Sequence, residues 1–184
     1  AHMVYARSAV DSIQDLRVGV ETSASLAAQA LDRIEAIDAT GFELNSILAL
    51  SPKADAKNFD LDSPLAGLPI VIKDNIEATG LPGTAGSTAL LDHPVIKDSP
   101  LTARLRAAGA NIIAATNLSE WANIRSSAST SGWSAVGGLT ANPWIHKHSA
   151  GGSSSGSGAA IAAGLVTLAV GTETDGSIIC PASL

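Results

Sequence analysis

Three stretches of this chain hold residue types able to do covalent or binding chemistry. Lys73 closes the apolar run Leu68-Pro69-Ile70-Val71-Ile72, followed by Asp74 and Asn75. Nine of the ten residues from Ser149 to Gly158 are Gly or Ser. A second Gly/Ser/Thr loop, Gly171-Thr172-Glu173-Thr174-Asp175-Gly176-Ser177, lies near the end of the sequence, just before Cys180. Several templates can be tried on them. A P-loop needs a lysine after its second glycine, and no lysine follows His148. A dinucleotide fingerprint needs three spaced glycines directly after a strand, and Gly156-x-Gly158 lacks the third. Gly152-Ser153-Ser154-Ser155-Gly156 matches Gly-x-Ser-x-Gly, the nucleophile elbow, with Ser154 at its centre. That motif needs a preceding strand and a later histidine, and neither is found. His93, His146 and His148 fall in loop-like stretches, and His146-x-His148 has no acidic or thiol partner at metal-ligand spacing. Cys180, between Ile179 and Pro181 in an apolar run, reads as a packed thiol.

These residues need elements to position them. Ser8 with Asp11 signals a helix start, with Val10, Ile13 and Leu16 on its apolar side. Thr22 or Ser23 caps a second helix carrying Leu26, Ala30, Ile34 and Ile37, which Gly41 stops. Glu35 and Asp38 stand near its end, where the helix dipole does not favour them, so packing must hold that end. Leu44 to Leu50 suits a short strand, and Leu68 to Ile72 one buried on both faces. Pro100 opens a helix ended by Gly109, and Asn111 to Ala115 is the next strand. Strand, helix and strand joined by short loops make a βαβ unit, so the class is α/β. Ala159 to Gly164 reads as a small-residue helix and Leu165 to Val170 as a buried strand. A core element on each side of the Gly/Ser loop argues against a flexible linker.

Composition narrows the classes further. Hydrophobic residues make up 46% and charged residues 15%, which excludes a disordered chain. The net charge of −6 argues against nucleic-acid binding. A single cysteine excludes an internal disulfide framework. The longest apolar stretch, Ala159 to Val170, is short of the roughly 20 residues that cross a bilayer. Ala1-His2-Met3 reads as an expression scar. The expectation is an intracellular, cytoplasmic protein without a membrane partner.

Taken together, Leu68 to Asn75, Gly151 to Gly156 and Gly171 to Ser183 resemble the amidase signature family. Ala115-Thr-Asn-Leu-Ser-Glu-Trp-Ala122 and Asn142-Pro-Trp144 fit the same family, and the Gly-Thr-Glu-Thr-Asp-Gly-Ser version is similar to its peptide-amidase-like branch. The resemblance implies a mixed, largely parallel sheet flanked by helices, and a Ser–cis-Ser–Lys triad without cofactor or metal. Ser177 maps to the nucleophile, Ser153 to the bridging serine and Lys73 to the base. The backbone N–H groups of Thr174, Asp175, Gly176 and Ser177 map to the oxyanion hole.

Physical chemistry supports the mapping. A free lysine, with a pKa of about 10.4, is protonated at neutral pH, but burial lowers that value by up to about 3–5 units. A neutral Lys73 takes a proton from Ser153, which takes one from Ser177 as it attacks a carbonyl. Each oxyanion donor is typically worth about 2.7–4 kcal/mol.

Some features depart from many relatives. Asp175-Gly176 stands where they have two glycines, so the Asp175 carboxylate is expected to face away from the oxyanion. Ile178, Ile179 and Cys180 occupy the place of an arginine that holds acidic substrates in some relatives, which points to a neutral carboxamide or peptide amide. Asp74 is left either pairing with a cation or solvating the strand end.

The expected organisation is residues 1–3 as the scar, 4–60 as an N-terminal helical segment, and 61–184 as the N-terminal part of the amidase signature core. In the family the domain continues for longer than this whole chain. The alternatives to a hydrolase are therefore a non-catalytic module that needs a complementary C-terminal half or another copy of itself, and a subunit of a glutamine-type amidotransferase.

Overall fold

The computed structural model describes residues 7–54, 56 and 58–184. The expected scar, residues 1–3, lies outside the described residues. Two helices come first, α1 (Ala9–Val18) and α2 (Ser23–Arg33). Ser8 caps α1 by accepting from the Asp11 N–H at 3.1 Å and donating to the Asp11 carboxylate. Leu16 of its expected apolar side is buried, whereas Val10 is 76% exposed. Thr22, rather than Ser23, caps α2 in a reciprocal box with Ser25. After Arg33 the helix widens into a π-turn, Ile34–Ala39. Asp38 is buried there and accepts from the N–H groups of Ser46 at 2.8 Å and Ile47 at 3.1 Å. The carboxylate unfavourable to the helix end thus organises the start of the next strand.

That strand, β1 (Ile47–Leu50), joins β2 (Pro69–Lys73) and β3 (Asn111–Thr116) in one sheet. The helix α3 (Pro100–Ala107) connects β2 to β3, which pair in parallel as the βαβ pattern requires. A two-residue hairpin, β4 (Trp133–Ser134) with β5 (Gly138–Leu139), lies outside this sheet. The helix α4 (Ser155–Ala162) leads to β6 (Ala169–Val170), which pairs in parallel with the other edge of β2. A last short helix, α5 (Ile179–Ala182), follows the second Gly/Ser/Thr loop. The order β1-β3-β2-β6 has one antiparallel pair, β1 with β3. The fold is α/β, a mixed and largely parallel sheet with helices.

Two elements differ from the pattern in the sequence. Helix α4 begins at Ser155, inside the Ser/Gly loop, although glycine and serine are weak helix formers. Tertiary contacts hold it: Thr116 and Ser157 hydroxyls meet at 2.8 Å, and the Gly156 N–H donates to Asn117 at 3.0 Å. A Cβ on Gly156 would lie 2.5 Å from the Asn117 carbonyl oxygen, so only glycine allows this approach. Strand β6 is shorter than expected, because Leu165 and Val166 bury in the core without pairing.

The sheet separates two apolar clusters, and strand alternation decides what faces each. Ile70 and Ile72 pack with Leu16, Leu68 and Ile112 on one side. Val71 packs with Ala30, Ile113, Ala160 and Leu165 on the other. Two residues beyond Val71, Lys73 projects on the α4 side. Among the described residues, no helix is long and apolar enough to cross a membrane.

Candidate active site

Lys73 is fully buried, and four oxygen acceptors surround its Nζ at hydrogen-bond distance. They are Ser153 Oγ at 2.7 Å, Thr172 Oγ1 at 2.9 Å, Ser154 Oγ at 3.0 Å and the Thr172 carbonyl at 3.3 Å. Among the described residues no carboxylate forms an ion pair with it. Burial without a counter-charge pulls its pKa from 10.5 down to about 8. Hydroxyl and carbonyl dipoles satisfy the amine in either protonation state better than an apolar pocket would, yet leave its neutral form accessible near neutral pH.

Asp74 does neither of the things weighed for it. It is buried and accepts from the Gly83 N–H and the Thr84 N–H, each at 2.9 Å, and from the Thr84 hydroxyl. Burial raises its pKa, and these donors oppose the rise. Its work is to fold the 83–86 loop back against the end of β2.

Ser153 stands at the mouth of α4, after a cis Gly152–Ser153 peptide bond. Its hydroxyl accepts from Lys73, and its carbonyl accepts from the Ser119 N–H at 3.0 Å. Ser154, the centre of the Gly-x-Ser-x-Gly match, donates to the Thr172 carbonyl at 3.1 Å and accepts from Lys73. Among the described residues no histidine contacts it: His93, His146 and His148 are exposed in loops, and His146 packs edge-on against Phe42.

The loop 171–177 closes over the same corner. The Ser177 carbonyl accepts from the Ser154 N–H at 3.0 Å, while the Ser177 hydroxyl makes no hydrogen bond to Ser153. Lys73 and Ser153 are therefore in direct contact, and Ser177 is tied beside them through its backbone. Thr174 and Asp175 are exposed, and Gly176 adopts φ +75°, a left-handed turn that favours glycine. Among the described residues, the N–H groups of Thr174, Asp175 and Ser177 have no hydrogen-bond partner. Glu173 brackets the turn, accepting from Ile178 N–H at 2.6 Å and Ile179 N–H at 2.8 Å. The Ile179 and Ile178 donors hold its carboxyl below the ordinary value. Cys180 departs from the packed thiol expected of its apolar neighbours: it is exposed on α5. That helix is a single turn of four residues, too short to bury more than the face it lays on α4.

Thr172, Asn75, Ser119 and Glu173 also hold the site together, although the sequence assigns none of them a role. Thr172 Oγ1 sits between Lys73 and Asn75, whose Nδ2 donates to it at 3.0 Å. Each of the four lies within one of the stretches that carry the family resemblance, which is the signal that could have found them.

The profile of the family described as Amidase matches residues 25–184. The chain belongs to the amidase family. It is 38% identical to a probable amidase from Arabidopsis thaliana over 94% of its own length and 36% of that relative's. It is 40% identical to a glutamyl-tRNA(Gln) amidotransferase subunit from Lactobacillus delbrueckii subsp. bulgaricus, over 98% of its own length and again 36% of the relative. The solved native peptide amidase from Stenotrophomonas maltophilia superposes with a TM-score of 0.89 at 41% identity, over 98% of this chain and 39% of that one. The chain thus spans somewhat over a third of the length of the relatives it matches.

One further feature lies beside the site. A cavity of about 290 Å³ is lined by Trp144, Ser154, Ile161, Ile178, Pro181 and Leu184, among others. Trp144, Ile161, Ile178 and Leu184 are all exposed hydrophobics.

Proposed function

We propose that this amidase-family chain carries the hydrolytic centre for a neutral carboxamide or peptide amide, releasing the acid and ammonia. The observation that supports the reading best is the fully buried Lys73, 2.7 Å from Ser153 and, among the described residues, ion-paired with no carboxylate. Neutral Lys73 takes the Ser153 hydroxyl proton while Ser153 takes that of Ser177, whose oxygen attacks the amide carbonyl. The N–H groups of Thr174, Asp175, Gly176 and Ser177 stabilise the oxyanion. The proton returns through the same relay to the leaving nitrogen, ammonia departs, and water hydrolyses the resulting ester of Ser177. No cofactor enters this scheme. A cytoplasmic location belongs to the same reading, supported by a sequence with one cysteine and hence no internal disulfide.

Ammonia release from acetamide and from N-acetyl-L-phenylalaninamide tests the proposal. Ser177→Ala should lower the rate by at least about a thousandfold, the scale on which loss of an enzyme nucleophile is felt. A rate unchanged in that variant refutes the assignment. Neutral amides should be preferred, since Ile178, Ile179 and Cys180 offer no cation to a carboxylate; a tenfold preference for an acidic substrate would sink that part.

A second reading is favoured by the apolar cavity beside α4 and α5, together with the share of the relatives that the chain spans. In it the chain is a module completed by a complementary C-terminal half or by another copy of itself. A monodisperse monomer in size-exclusion chromatography, active alone, counts against it. Glutamine-type amidotransfer within a complex of several chains shares the amide chemistry and is supported by the amidotransferase relative; ammonia transfer to an acyl acceptor, rather than release, would distinguish it.

A further inference from the structure

We propose that the cavity between Asn75–Glu77 and Trp121–Ile124 is the subsite for an apolar side chain of the amide substrate, with Trp121 as its aromatic wall. The inference rests on the amide-hydrolase reading and names a substrate class for that site. The cavity measures about 550 Å³, and Ile76, Ala85, Leu90, Trp121, Ala122 and Ile124 give it apolar sides. That volume suits a small-molecule ligand.

Its two walls are bonded to the two ends of the Lys73–Ser153 pair. On one side Asn75 donates to Thr172 Oγ1, itself 2.9 Å from Lys73 Nζ. On the other, the Ser119 N–H donates to the Ser153 carbonyl, and the turn that follows Ser119 carries Trp121 and Ala122. These bonds fix both walls of the cavity to the residues of the site.

The turn itself is an independent sign of a built wall. Trp121, Ala122 and Asn123 have φ of 51°, 54° and 69°, three consecutive non-glycine residues in the left-handed region. Such residues cost conformational free energy and persist where the surroundings impose them, often at ligand-contacting sites. Here the Trp121 N–H donates to Ala85 at 3.0 Å and the Ala122 N–H to Ser119 at 2.8 Å. The outcome is a tryptophan left 38% exposed and an isoleucine, Ile124, left 86% exposed at the rim of one cavity. Charge narrows the ligand. Among the described residues, Glu77 is the one ionisable side chain in the lining, and its carboxylate forms no hydrogen bond or ion pair. It repels an acidic side chain and leaves an apolar one unaffected.

The test uses the 184-residue chain with labelled indole nitrogens, whose three tryptophan resonances are few enough to assign by substitution. N-acetyl-L-phenylalaninamide should move the Trp121 resonance and bind at least tenfold more tightly than N-acetylglycinamide. The α-amide of N-acetyl-L-aspartate should bind no better than the glycine compound. Trp121→Ala should abolish the tenfold preference; Ile124→Ala, a change at an exposed rim residue, should reduce it. A Trp121 resonance that N-acetyl-L-phenylalaninamide leaves in place overturns the proposal, as does a preference that survives both substitutions. Ammonia release, followed in the same samples, separates the two readings. Binding at Trp121 without release refutes hydrolysis by this chain and keeps the subsite, whereas release without a Trp121 response refutes the subsite alone.

Discussion

Replacing Lys73 by methionine removes the ammonium while keeping an unbranched apolar stem of similar length. Burial lowers the lysine pKa from 10.5 to about 8, so at neutral pH the folded state holds the charged form at a disadvantage of roughly 3 kcal/mol. The sign follows from linkage. Between pH 8 and 10.5 the unfolded chain keeps a proton that the folded chain has released, so stability rises with pH through that window. From about pH 7 to about pH 9.5 the gain integrates to about 2 kcal/mol. Lys73→Met has no such group, so its stability relative to the parent should be higher at pH 7 and lose about 2 kcal/mol of that advantage by about pH 9.5. Part of the advantage at pH 7 is offset by the lost hydrogen bonds to Ser153 and Thr172, each worth about 1 kcal/mol. Urea unfolding of both proteins at the two pH values reads the difference directly, and tyrosine and cysteine titrations cancel because both proteins share them. Parallel pH–stability profiles would refute the argument, since they would mean that Lys73 titrates alike in the folded and unfolded chains.

Two further outcomes follow from the packing around the site. Gly156→Ala puts a methyl group against the Asn117 backbone, which cannot step aside as a side chain would, so it should destabilise the fold by at least about 3 kcal/mol in urea unfolding. Glu173→Ala removes the acceptor for the Ile178 and Ile179 N–H groups, and hydrogen exchange at those two amides should quicken at least tenfold. Glu173→Gln keeps an acceptor oxygen there and should restore most of the protection, while equal exchange in all three proteins would remove Glu173 from any part in holding the Ser177 loop.

The kinds of element and the loops that bear the chemistry are legible in the chain's residue order. The unbroken apolar run before Lys73 is a buried strand because nothing polar interrupts it, and the helix between it and Asn111 forces a parallel crossover. Lys73, Ser153 and Ser177 stand out through the motifs that hold them. Other features depend on packing between distant segments. Helix α4 starts within a Gly/Ser run whose propensity argues against a helix, because contacts with Thr116 and Asn117 outweigh that local preference. Asp74 carries no mark of its role, since the Gly83 and Thr84 donors that hold it come from a loop whose path is set by packing. Cys180 reads as buried from its neighbours, but exposure on a short helix depends on what lies across from it. Lys73 shows the division most plainly. The sequence places a lysine at the end of an apolar strand, where a solvated charge would be the ordinary outcome. Only the sheet's alternation, which turns its side chain toward α4, and the closure of the 171–177 loop over it remove the water and leave hydroxyls and a carbonyl in its place.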